Sequence, residues 1–100
     1  MKRELTFHPE VVEDIKGSYN WYEERLQGLG SGFLNELEDG YTAIQNFPET
    51  WATFHYGFKS YILNRFPFSI LYQIMDEKIF IIAVMHNSRK PNYWLDRIKK

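Results

Sequence analysis

One hundred residues suffice for one hydrophobic core and not for two, so positions 1–100 read as a single domain. A hydrophobic share of 44% with 18% aromatics excludes a disordered chain, no run nears the roughly 18 apolar residues of a membrane span, and without cysteine there is neither a disulfide framework nor a thiolate metal site. The net charge of −1 is a near-cancellation: four basic against ten acidic side chains up to residue 50, then eight basic against three acidic, so the second half is the one suited to an acidic or phosphate-bearing partner. Met1-Lys2-Arg3-Glu4 leads into a strand with no apolar signal core behind it, from which a cytoplasmic address is expected.

Glu4-Leu5-Thr6-Phe7 alternates polar and apolar residues, as a short strand does. Pro9 then suits the first turn of a helix, and Val12, Ile15, Tyr19, Tyr22 and Leu26 recur at spacings of three and four, an apolar stripe about four turns long. Gly28 and Gly30 are expected to end that helix by supplying positive φ, and Ser31 to cap the next, whose stripe is Leu34, Leu37, Tyr41 and Ile44 and which Pro48 stops. Two such helices on so short a loop form an antiparallel hairpin. Residues 51–56 and 60–66, parted by Gly57, read as strands; on the second, Lys59 and Arg65 share parity and hence a face. Residues 69–75 and 79–86 are apolar on both faces and joined by Asp76-Glu77-Lys78, which marks a central antiparallel hairpin, and residues 91–100 form a last short helix or a loose tail. The fold class is α+β, in the order β-α-α-β-β-β, with a helical hairpin packed on one face of a mostly antiparallel twisted sheet.

Several words in this order carry a resemblance: Phe7-His8-Pro9-Glu10, Trp21-Tyr22-Glu23-Glu24, Gly28-Leu29-Gly30, Asn46-Phe47-Pro48-Glu49, Arg65-Phe66-Pro67-Phe68-Ser69-Ile70, and His86 to Trp94. Together, from residue 5 to residue 94, they resemble the RelE/ParE toxin superfamily. The resemblance implies the toxin of a type II toxin–antitoxin system, of the kind linked to plasmid stabilisation and growth inhibition, with a cognate antitoxin as partner. ParE-like members bind DNA gyrase; RelE-like members are ribosome-dependent, metal-independent mRNA endoribonucleases; an inactive relative would keep only antitoxin binding. Fold resemblance does not choose among these. A homodimer and a toxin–antitoxin hetero-oligomer both remain open.

Metal-free RNA cleavage needs a proton acceptor for the 2′-hydroxyl, a donor to the leaving oxygen, and cations for the phosphate. The basic half offers His86, Arg89 and Tyr93 as the catalytic candidates, and Lys59, Arg65 and Trp94 as target- or phosphate-binding candidates; no metal or cofactor is expected. The bland readings are a strand-end imidazole bonded to backbone for His86, surface ion pairing for the arginines, and a tail anchor for Trp94; Trp21 and Trp51 read as packing residues at the edge of the core. Against the RelE branch two cations are missing: Ser69 stands where that branch carries an arginine before the strand, and Asn87 falls where it carries another soon after the last strand. The sequence pI near 6.3 is also low for docking on ribosomal RNA, and the balance tips toward a binding toxin.

Overall fold

Both apolar stripes form helices and part of each stripe faces the sheet, but the stripes differ from the expectation at their N-terminal ends and at Leu26. In the computed structural model, which describes residues 3–53, 55–89 and 93–98, α1 runs Val11–Arg25 and α2 Leu29–Asn46. Val11 is buried while Val12 and Leu26 are more than half exposed; Phe33 is fully buried while Leu34 lies at the surface. The residues facing the sheet are Val11, Ile15 and Tyr22 from α1, and Phe33, Leu37, Tyr41 and Ile44 from α2. Val12, Tyr19 and Leu34 instead line the outer seam of the hairpin with Ile15, Lys16 and Ser31. Apolar residues serve two neighbours here, the sheet and the other helix, and a single periodicity cannot separate them.

The helix junction also works differently from the expectation. Gly28, at φ 92°, is the N-cap of α2 and needs its glycine; Gly30 is ordinary helix, and Ser31 makes no cap. The side chain that serves the junction is Glu23, whose carboxylate accepts the Gly28 and Gly30 N–H groups at 2.8 and 2.9 Å. Gly30 is instead a point of close approach, since a Cβ there would stand 2.8 Å from the Tyr19 ring and from the Glu23 carboxylate.

Four strands, β1 (Glu4–Phe7), β2 (Lys59–Ile62), β3 (Phe68–Met75) and β4 (Lys78–His86), form one sheet in the order β1-β4-β3-β2. β1 is parallel to β4 and the other pairs are antiparallel, in agreement with the expected α+β class. Two strand expectations fail. The described residues of 51–56 form no strand: Thr53 makes an isolated bridge to Lys59, and His55–Gly57 is a 3-10 turn with Tyr56 at φ 60°. The strand expected over 60–66 ends at Ile62, because Asn64 and Arg65 turn their N–H groups onto the Glu36 carboxylate of α2. Lys59 and Arg65 therefore do not share a strand face.

A bulge decides which way the end of β4 points. Leu71 pairs with Ala83 but Tyr72 pairs with Ile81, leaving Ile82 as the extra residue. Before the bulge Ile79 and Ile81 face the helices; after it the parity is switched, and Val84 faces them. Ile82 and Ala83 both turn to the opposite face, where they bury Trp94 together with Phe58 and Leu71. Tail residues Tyr93–Ile98, including a single helical turn α3 (Leu95–Ile98), thus close the side of the sheet that the hairpin leaves open.

β1 stops at Phe7, so β4 runs past it with an unpaired edge. Two side chains satisfy that edge. Asp14 of α1 accepts the Val84 N–H at 3.1 Å, and Arg97 donates to the Ile82 carbonyl at 2.9 Å. Arg97 also grips Asp14 through two nitrogens at 2.8 and 2.9 Å, with 7% and 9% of the two side chains exposed. The forked geometry and near-complete burial make this pair a clasp joining helix, strand and tail.

Candidate functional site

The last strand ends in a tight turn that carries two of the candidate residues. The Arg89 N–H donates to the His86 carbonyl at 3.0 Å, while the His86 Nδ1 accepts the Ser88 N–H at 3.1 Å and lies 2.8 Å from the Ser88 hydroxyl. With Nδ1 accepting from backbone, the neutral ring carries its proton on Nε2. The post-bulge parity aims the imidazole at the helix side, where it packs edge-on against Phe68 at 5.1 Å. There it joins Gly17, Ser18, Trp21, Tyr22, Pro67 and Phe68 around an apolar hollow of about 430 Å³. Trp21, expected to pack at the edge of the core, is half exposed on the rim of this hollow, with the Arg25 guanidinium stacked 3.5 Å over its ring. Trp51 does pack as expected, half-buried and edge-on to Tyr61.

Asn87 and Ser69, the two positions that lack the RelE-branch arginines, meet one another. The Ser69 hydroxyl donates to the Asn87 Oδ1 at 2.6 Å, and the Asn87 N–H bonds the Pro67 carbonyl at 2.7 Å. An uncharged, mutually satisfied pair occupies this corner of the sheet.

The basic candidates have different partners. Lys59 donates to the Trp51 carbonyl and the Thr53 hydroxyl at 3.1 and 2.9 Å, and so ties down the loop before β2. Arg65 lies at the other end of that strand beside Glu36, in a hollow shared with Asp39, Tyr61 and Asn64. Arg89 stands over the Tyr93 ring with its guanidinium carbon 4.0 Å from the centroid. His86 and Arg65 line different hollows, and neither hollow contains Lys59 or Arg89. Shared charge sign thus does not bring His86 and Arg65 to one hollow.

Two further expectations change with burial. Trp94 is fully buried in the open-face cluster, so its indole is a tail anchor and offers no stacking face to a partner. Burial, reinforced by the Asp14 charge and only partly countered by Arg97 and Arg89, pushes the Tyr93 phenol up to about 12. Tyr93 thus stays protonated through the physiological range. Sequence reasoning missed Asp14 and Arg97 altogether. A signal for Asp14 existed: it is a carboxylate on the inward face of α1, between buried Val11 and partly buried Tyr22, and such a position calls for a partner. For Arg97, well beyond the last strand in sequence, no local pattern gives warning.

Comparison with known proteins settles the lineage. The family described as the ParE toxin of the type II toxin–antitoxin system parDE matches residues 5–91. The chain belongs to the ParE toxin family. Toxin ParE2 of Mycobacterium tuberculosis, found in strains CDC 1551 / Oshkosh and ATCC 25618 / H37Rv alike, is 27% identical over 93 residues, covering 92% of this chain and 89% of its own. A chain from the chromosomal ParDE TA system of P. aeruginosa superposes with a TM-score of 0.74 at 16% identity, over 85% of this chain and 96% of that one, so the ParE fold is shared. Within the RelE/ParE superfamily the chain falls on the ParE side, where the hairpin-on-sheet architecture is common ground and the chemistry is not.

Proposed function

We propose that this ParE-family toxin arrests growth by binding DNA gyrase without chemistry, and that a cognate antitoxin restrains it. The neutral Ser69–Asn87 pair is the observation that carries this reading. Phosphoryl transfer to and from RNA oxygens requires cations where charge develops, and at these two positions the chain supplies a hydroxyl and an amide. The raised Tyr93 phenol and the engagement of Lys59 in loop contacts point the same way. An apolar hollow rimmed by Trp21, Tyr22 and His86 is better suited to receive a protein side chain than a phosphate. The antitoxin follows from family membership and from the ParDE pairing named for the P. aeruginosa structure.

Induced expression of the chain alone, with primer extension on cellular mRNA, tests the reading. Growth arrest with intact messages, relieved when a cognate antitoxin is co-expressed, is the expected result. Codon-phased cuts in mRNA would reject it, and unimpaired growth would point to a relative that has lost toxicity.

A further inference from the structure

We infer that Tyr93, fixed by the Asp14–Arg97 clasp, is a positioning residue that holds Arg89 ready for an acidic group on the target. The inference rests on the binding-toxin reading and specifies the chemistry of one contact. The Tyr93 ring carries guanidinium groups of two kinds. That of Arg97, 5.1 Å from the centroid, is buried and bonded to Asp14 and to the Ile82 carbonyl. That of Arg89, 4.0 Å away, belongs to an exposed residue, and among the described residues none of the recorded ion pairs involves it. Arg97 has its donors committed within the fold; Arg89 keeps its own turned to solvent.

A flat ring beneath a guanidinium restricts it to a plane while leaving its edge N–H groups available, which is how a forked contact to a carboxylate is prepared. An unsupported surface arginine would lose rotamer freedom on binding; a stacked one has lost part of it already. The ring itself has little freedom to move. It packs against the open-face cluster around Trp94, and the buried Arg97 beside it is tied to α1 and β4. The turn fixes the other end, since the Arg89 N–H is bonded to the His86 carbonyl. Asp14 and Arg97, which lie away from the solvent-facing edge of Arg89, thereby acquire a part in target binding.

The arrangement is tested on the purified chain by the NMR signals of the Arg89 side chain, alongside toxicity on induced expression. Ring-current displacement of the Arg89 δ-methylene is expected in the wild type, retained in Tyr93→Phe, lost in Tyr93→Leu and reduced in Arg97→Lys. Arg89→Ala should weaken target binding by roughly tenfold, as truncation of an interface arginine does. The decisive comparison is the double variant Arg89→Ala/Tyr93→Leu, expected to be no weaker than Arg89→Ala alone, because a positioning residue has nothing left to position. Independent, multiplying losses would show a purely structural role for Tyr93 and overturn the inference. So would an undisplaced Arg89 signal in the wild type, or one unaffected by Tyr93→Leu in a folded protein. A non-toxic wild-type chain would count against the binding-toxin reading, and the NMR comparison would still decide the positioning.

Discussion

The two faces of the sheet are closed in different ways. On the helix side, α1 and α2 lay a continuous core of Phe33, Leu37, Ile44, Ile70 and Ile81 over the strands, built from residues repeating at helical and strand periods. On the other side the sheet is closed by one turn of helix and a single large anchor, Trp94, over Phe58, Leu71, Ile82 and Ala83. A long amphipathic hairpin distributes its hold over many side chains, whereas the tail concentrates its hold in one tryptophan and one buried ion pair. Local chemistry is therefore sharper on the tail side, where a single substitution should do the most damage.

Arg97→Met is the strongest way to break that contrast. It leaves the Asp14 carboxylate buried without its arginine, so a loss of about 3–5 kcal/mol in denaturant unfolding is expected. Adding Asp14→Asn should recover part of the loss, because the stranded charge is then gone. Trp94→Ala comes next, at about 3–5 kcal/mol at most, against about 2–5 for Ile44→Ala on the helix side. The useful readout is the shape of the transition. If both faces unfold as one unit, both variants lower the midpoint with an unchanged slope. A lowered slope for Trp94→Ala alone would mark the tail as a separate, weaker unit.

Alkaline pH gives a gentler comparison, because each face contains a raised tyrosine. Burial, with the Glu49 charge adding to it, pushes Tyr72 up to about 12 on the helix side, and Tyr93 stands at about 12 on the tail side, both from 10.0. The folded state holds these protons more tightly than the unfolded state. Their contribution is therefore complete below about pH 10 and is lost as the pH rises toward 12. Tyr93→Phe and Tyr72→Phe should each flatten that decline, and Tyr72→Phe also removes the hydrogen bond to the Pro48 carbonyl.

The same contrast explains what the sequence made legible. The hairpin and central strands were readable because periodicity reports a face, and even there the first inward residue of each helix, Val11 in place of Val12 and Phe33 in place of Leu34, escaped it. The candidate site was readable only as a set of residue types. Where His86 points depends on the extra residue Ile82, and no alternation pattern reveals a bulge within an all-apolar run. Where Arg65 and Lys59 go depends on Glu36 and Thr53, polar partners distant in sequence. The Trp94 anchor and the Asp14–Arg97 clasp bring together residues up to 83 positions apart, a separation invisible to any local window.

Titration of purified DNA gyrase with the purified chain, followed by supercoiling of relaxed plasmid, addresses the central claim most directly. Inhibition that saturates near equimolar toxin and is reversed by the cognate antitoxin is the result expected of a toxin that binds without turnover. Undiminished supercoiling at excess toxin, with cleaved mRNA in cells induced to express the chain, would contradict it.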